Sequence, residues 1–397
     1  MWHLFFTDVF KDGGFDVVIA NPPYIDSEEM VKSQPDEREK YSNIFESTKG
    51  NWDIYIPFIE FSISILKDNG FGIIIAPNKW MSIKYGKVLR ELLFKYFSLI
   101  CILDKINVFE AGNSPVITGF SKDLKSYNIT VDEFVSKRRS INKTKISKKI
   151  ITNNWGILLS DHIDLLKKLM NCNHKISEYF SVENPFTTSE AYEIKNILDD
   201  RDKTESDLFL INTGTIDPYV TLWGQKQTSY LKLKLKNPVI KKEDLKDFSN
   251  RRYEQSLSPK IIITGMRHFE AFYDKMGEYV AGKSTIIIRE KIPRVDLLLL
   301  LPILNSKLIT FYIRGLYSAL GIDGGINFSK DLVETLPIAD NFTDYSEKII
   351  SYTKNIINAK KANHQADTSN LESKIDQLIY ELYGLTEEEI KIIEDAI

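Results

Sequence analysis

The stretch Phe15-Asp16-Val17-Val18-Ile19-Ala20-Asn21-Pro22-Pro23-Tyr24 constrains the fold of this chain more than any other. Its first part contains neither Gly nor Pro and carries Val-Val-Ile, so it reads as a short buried strand. The strand has to stop at Asn-Pro-Pro. Proline donates no hydrogen bond to a ladder and drives the residue before it out of the helical region. An amide and an aromatic ring are thereby held at the C-terminal end of a strand, which is where ligands bind in open α/β sheets.

The residue types at that corner favour one chemistry. Asn21 offers a side-chain oxygen and Pro22 a backbone carbonyl with no competing N–H, so two acceptors lie side by side. An exocyclic amino group has two hydrogens to give to such a pair. Accepting both draws its nitrogen toward a tetrahedral shape and frees the lone pair from the ring, so no strong general base is needed. Tyr24 supplies a flat face for a planar base. The pattern suits alkylation of the amino group of a base taken out of its stack.

The remaining pattern sets the frame. Residues 53–67 carry apolar residues at helical spacing, with Asn51 or Asp53 as candidate cap and Pro57 near the first turn. Residues 71–76, 99–103 and 116–120 read as strands, and 85–97 as a helix. Strands alternating with helices imply a mostly parallel sheet covered on both faces. The polar segment 25–50 reads as a lid or substrate loop, and its acidic run 35–40 as a solvated face. Residues 124–151 hold Lys137, Arg138, Arg139, Lys143, Lys145, Lys148 and Lys149 close together. Such a run tracks phosphates or forms a solvated linker, and the DNA reading is preferred here.

The net charge of -3 does not by itself advertise a polyanion binder. Cys101 and Cys172 fit no metal or disulfide spacing, no metal site is expected, and a reducing cytoplasm is the natural setting. No apolar run reaches membrane-spanning length.

Four further segments extend the pattern: Asn-Trp-Asp-Ile-Tyr-Ile-Pro-Phe-Ile-Glu, Leu-Lys-Asp-Asn-Gly, Ile-Ala-Pro-Asn-Lys-Trp and Tyr-Gly-Lys-Val-Leu-Arg. Together with Asn-Pro-Pro-Tyr they resemble the TaqI-type adenine DNA methyltransferases, a family that includes fused restriction-modification enzymes. The resemblance implies S-adenosylmethionine as cofactor, Asn21, Pro22 and Tyr24 as catalytic residues, and Phe58 at the cofactor adenine. Asn107-Val108-Phe109-Glu110-Ala111 is similar to the loop whose aromatic residue sandwiches the flipped base, which makes Phe109 the substrate-binding candidate. Core packing is the alternative for both phenylalanines.

Later pieces resemble the target-recognition domain of the same family: Asn-Thr-Gly-Thr-Ile-Asp-Pro-Tyr from Asn212, Ile303-Leu304-Asn305-Ser306-Lys307, and Gly324-Gly325-Ile326-Asn327-Phe328. Such a domain reads base edges of double-stranded DNA with polar and basic side chains. Arg251, Arg252, Arg267, His268 and Arg289 are the candidates, with a structural role the simpler one for His268. The acidic end of the chain reads as helices packed on that domain.

The expected fold is therefore α/β. A partial Rossmann-like methyltransferase sheet (1–150) is followed by a mixed α/β target-recognition domain (151–342) and a helical C-terminal segment (343–397). A Gly-rich cofactor turn is expected before Asn-Pro-Pro-Tyr, where only twenty residues precede it. Residues 320–325 are the one later candidate, and no strand pattern leads into them. The chain thus reads as the C-terminal portion of an adenine-N6 methyltransferase that is inactive without an upstream half. Its first strand should then present an open apolar edge, covered by that half or by self-association. A DNA specificity module with a vestigial site is the alternative. Methylation of glutamine or of cytosine N4 is disfavoured by the large second region.

Overall fold

The computed structural model describes residues 2–103, 115–122, 127–136, 139–148, 151, 154–293, 295–317 and 327–397. It divides into two compact units. The first runs to Ile163 and takes back a short segment beginning at Gly315; the second starts at Asp164 and holds the rest.

The first unit is built on a six-stranded sheet of order β1-β2-β4-β3-β5-β6. Its strands are β1 (Phe15–Ala20), β2 (Leu66–Pro77), β3 (Phe97–Ile102), β4 (Pro115–Ser121), β5 (Asn128–Ser136) and β6 (Arg139–Ser147). β1 and β2 run parallel, as do β3 and β5, while β2–β4, β3–β4 and β5–β6 are antiparallel. The sheet is thus mixed rather than mostly parallel, because β4 enters between β2 and β3 in the reverse direction.

The two faces of this sheet differ. On one, Ile74, Ala76, Val116, Phe120, Ile100, Ile102 and Val131 are buried. The helix Tyr55–Ser64 contacts β2 and the helix Lys87–Phe94, and these helices account for that burial. Phe120 lies across Gly72 so closely that a Cβ there would sit 2.2 Å from its ring. On the other face, registered residues Phe71, Ile73, Ile75, Ile117 and Leu99 are only half-buried. Val17 and Ile19 on this face of β1 are 55% and 77% exposed.

Three segments depart from the pattern reading. Residues 25–50 are not a loop but carry the helices Ser27–Ser33 and Pro35–Ile44. Asp26 caps the first, accepting from the Glu29 amide at 2.8 Å, and Pro35 opens the second. Their polar surfaces hide the helical period, since the second buries no residue at all. The basic stretch is not a linker but the β5–β6 hairpin, in which Ile129, Val131 and Ile146 point inward between the charges. β1, expected to be buried yet open along one edge, has one ladder neighbour among the described residues but leaves Val17 and Ile19 exposed.

The second unit holds two four-stranded sheets. One consists of Tyr279–Ala281, Asp207–Ile211, Pro238–Lys241 and Leu198–Asp200; the other of Ala271–Asp274, Lys260–Thr264, Thr285–Glu290 and Phe180–Glu183. The apolar helix Leu297–Asn305 packs against Ala271–Asp274 and against the helix Ser346–Ala362. No single helix among the described residues is long and apolar enough to cross a membrane. The terminal helices Ser369–Leu382 and Glu387–Ala396 are tied in by polar bonds. Asp376 accepts the Lys307 amide at 3.1 Å, Tyr383 donates to the Pro337 carbonyl at 2.8 Å, and Lys168 reaches Glu389 at 2.6 Å.

At the centre of the second sheet Lys260 is fully buried and paired with buried Asp274. Burial lowers the lysine pKa, with Asp274 opposing. Asp274 also accepts the Glu278 and Tyr279 amides, each at 3.1 Å. Asp274→Ala leaves an uncompensated buried ammonium and is expected to cost about 3–5 kcal/mol, measurable by urea unfolding.

Candidate active site

The Asn-Pro-Pro-Tyr corner leaves β1 and is caught by the elements behind it. Asn21 is exposed, Pro22 buried, Pro23 exposed and Tyr24 half-buried. Partial burial pushes the Tyr24 phenol up to about 12, so the ring is neutral at any working pH. Two contacts immediately downstream hold the corner in place. The Ile25 carbonyl accepts the Ile54 amide at 3.1 Å, and the Asp53 carboxylate accepts the Ser27 amide at 3.0 Å.

Asp53 does not cap the helix that follows, as its position suggested; that helix has Ile54 at its N-cap and no side-chain cap. Its second oxygen instead accepts a short hydrogen bond from the Tyr85 hydroxyl. Tyr85 and Tyr55 hydroxyls lie 3.1 Å apart. Burial, with the nearby carboxylate, pushes both phenols well above their ordinary value. Nothing in the residue pattern pointed to Tyr55 or Tyr85; only the fold brings them to Asp53.

The paired helices 27–44 are bonded to the same frame. Arg38 donates to the Trp52 and Gly50 carbonyls at 2.9 and 3.0 Å and lies 4.2 Å from the Trp52 ring centroid. Glu60, on the helix Tyr55–Ser64, accepts the Glu46 and Ser47 amides at 3.0 and 2.8 Å. Phe58 on that helix is 36% exposed, whereas Tyr55, Ile56, Pro57, Ile59, Ser62 and Ile63 are buried. Core packing therefore does not explain Phe58.

The other expected site residues are placed as follows. Phe109, Lys137 and Arg138 lie outside the described residues, as does the Gly-rich stretch 320–325. Arg139 is exposed at the start of β6. Lys143 is paired with Asp161, so its ammonium is engaged within the unit. Arg251 is exposed on the helix Asn250–Leu257. Arg252 corrects the expectation of a DNA contact. It is 4% exposed, donates to both Glu190 oxygens at 3.1 and 2.7 Å, and also reaches the Asn184 carbonyl. Arg289 is likewise held by Glu183. Arg267 and His268 are both exposed.

Residues 1–109 match the Eco57I restriction-modification methylase family, and residues 210–338 match the TaqI-like C-terminal specificity domain. The relatives that the chain matches are type II restriction-modification methyltransferases. The chain is similar to the type II restriction enzyme and methyltransferase RM.Eco57I of Escherichia coli, with 37% identity over 98 residues, covering 24% of this chain and 10% of the relative. It is also similar to the type II methyltransferase M.BstVI of Geobacillus stearothermophilus, with 27% identity over 210 residues, covering 51% of this chain and 34% of the relative. The matches thus cover 10% and 34% of the length of these two relatives. A solved structure of the type IIL restriction-modification enzyme MmeI in complex with DNA aligns at a TM-score of 0.48 and 11% identity, covering 96% of this chain and 56% of that one.

Asp53→Ala removes an acceptor from two donors at once. It is expected to destabilise the first unit by about 1–3 kcal/mol and to speed amide exchange from Tyr24 through the helix Ser27–Ser33. Exchange unchanged in that segment would mean the carboxylate does not hold the corner.

Proposed function

We propose that this chain is the catalytic-corner and target-recognition portion of a DNA methyltransferase acting on N6 of adenine, in the cytoplasm, and that it requires further polypeptide for activity. The observation that carries this is the Asn21–Tyr24 corner, which presents exposed Asn21 at the end of β1 and is pinned by Asp53 and Ile54. In this reading the Asn21 side-chain oxygen and the Pro22 carbonyl accept the two amino hydrogens of an extruded adenine, and Tyr24 lies against its face. S-adenosylmethionine, when bound, supplies the electrophilic methyl group. The amino proton given up on methylation would pass by way of the Asn21 and Pro22 oxygens to solvent. Tyr24, neutral at working pH, would offer its ring face to the base. Phe58, exposed on an otherwise buried stretch of helix, offers apolar surface for the cofactor's adenine ring. The specificity-domain match over residues 210–338 supports double-stranded DNA as substrate.

The test is methyl transfer to duplex DNA by the chain combined with the methylase polypeptide that completes its sheet, with the product nucleosides resolved. N6-methyladenine is expected. Asn21→Ala should lower the rate by about 10²-fold or more, the size of effect seen when one preorganised hydrogen-bonding group is lost. Undiminished transfer by Asn21→Ala, or methyl on cytosine, would refute the reading.

The completing polypeptide is expected to bind at β1. That strand has one ladder neighbour among the described residues, and it exposes Val17 and Ile19 beside half-buried Phe71 and Ile73. An open apolar strand of this kind templates pairing. Alone, the chain should associate with itself through the same strand, and Val17→Lys with Ile19→Lys should shift it toward monomer in sedimentation velocity. A wild-type chain that stays monomeric at high concentration with no partner present would count against this.

A further inference from the structure

In the second unit, the connection between the antiparallel strands Lys260–Thr264 and Ala271–Asp274 places Arg267 at φ 67°, in the left-handed region. A long side chain rarely adopts that conformation without the surroundings enforcing it, and such outliers concentrate where binding needs a fixed geometry. Here the enforcement is visible. The Thr264 hydroxyl donates to the His268 carbonyl and accepts the Glu270 amide at 3.1 Å. The Thr264 amide donates to the Glu270 carbonyl at 2.9 Å. The Gly265 amide donates to the Ser284 carbonyl at 2.9 Å and to the Thr213 hydroxyl at 3.2 Å, and the Gly265 carbonyl accepts the Phe328 amide at 2.8 Å. The approach is so close that a Cβ on Gly265 would lie 2.4 Å from the Ser284 oxygen. Phe269, next in the chain, is turned inward against Phe328, with ring centroids 5.1 Å apart.

Three turns are thus cross-bonded into one rigid head: Asn212–Thr215, the 264–270 connection and the 282–285 turn, where the Ser284 amide donates to Asn212 Oδ1 at 3.2 Å. From it Arg267 and His268 project outward. Charge bookkeeping leaves Arg267 available; exposed Arg251, on the helix Asn250–Leu257, also has no ion pair among the described residues, and of the two it is Arg267 that stands on the cross-bonded head. Arg201, Arg252 and Arg289 are each held by a carboxylate of this unit, at 2.7 Å from Asp207, at 2.7 Å from Glu190 and by Glu183 respectively. Among the described residues no ion pair involves Arg267. A phosphate contact needs only a positive charge on a flexible stem. A bidentate contact to a base edge needs the guanidinium fork placed to within a fraction of an ångström, which a backbone over-determined by six neighbouring hydrogen bonds can provide.

We infer that Arg267 is a specificity-determining residue that reads a guanine edge in the major groove, from a head whose left-handed backbone exists to aim it. The inference rests on the DNA-binding reading given above and adds to it the residue and the base.

The experiment is selection of a random-sequence duplex pool by the full chain at fixed salt, followed by sequencing. It compares wild type with Arg267→Gly and Arg267→Lys. Glycine accepts the left-handed conformation, so the loop is kept while the fork is removed; an unchanged thermal midpoint verifies this. Lysine keeps the charge. Wild type is expected to enrich a motif. Both variants should lose the preference at one G·C column by about tenfold or more, while affinity for a duplex lacking the motif changes less than about threefold. Retention of every column in Arg267→Gly overturns this inference and leaves DNA recognition by the unit standing. A uniform fall in affinity with the motif intact overturns it too, since that is a phosphate contact. No enriched motif with wild type overturns both readings.

Discussion

The first unit depends on how one carboxylate is used. Beyond Ala20 the chain cannot stay in the ladder, because two prolines in succession bring no amide donors. A corner without ladder bonds has to be held from its far side. Asp53 does this through the Ser27 amide, and the Ile54 amide does it through the Ile25 carbonyl. Asp53 is itself oriented by the Tyr85 hydroxyl, which stands beside that of Tyr55. Hydrogen bonds to a charged acceptor are about twice as strong as neutral ones. The Asn-Pro-Pro-Tyr corner is therefore held by the N-terminus of the helix Tyr55–Ser64 rather than by the strand that carries it.

The two faces of the same unit are unequally covered. Its helices bury one sheet face, where Ile74, Ile100 and Phe120 are fully inaccessible, yet the other face keeps aliphatic residues at intermediate exposure and ends in an open strand. The second unit has no comparable asymmetry at its centre. There the middle strand Lys260–Thr264 is buried along its whole length and even encloses a paired lysine. An apolar face and an open edge on adjacent surfaces offer a place for a further strand and covering helices to pack.

Much of the architecture was legible in the residues. β1, the helix Tyr55–Ser64, β4 and the helical end of the chain follow from apolar period and from proline and glycine punctuation. The misreadings share a cause. The helices Ser27–Ser33 and Pro35–Ile44 and the β5–β6 hairpin carry so many charges that their inward residues, such as Met30 and Ile146, form too sparse a pattern to establish a period. What holds the first two is a set of distant contacts through Arg38 and Glu60. For the arginines, composition could not separate Arg252, consumed by Glu190, from Arg267, presented on a strained turn.

Sequence alone was sufficient for the local chemistry: which residues end β1, which acceptors stand there, and which ring follows them. Proline stereochemistry and hydrogen-bonding capacity are properties of the residues themselves and need no partner to be stated. Tertiary structure decided the rest: that Asp53 serves the corner rather than its helix, that Phe58 is partly exposed, that Val17 and Ile19 of β1 are uncovered, and that Arg252 and Arg289 are held by carboxylates while Arg267 is exposed. Those outcomes depend on which distant groups compete for the same donor, charge or apolar face, and only the folded chain brings the competitors together.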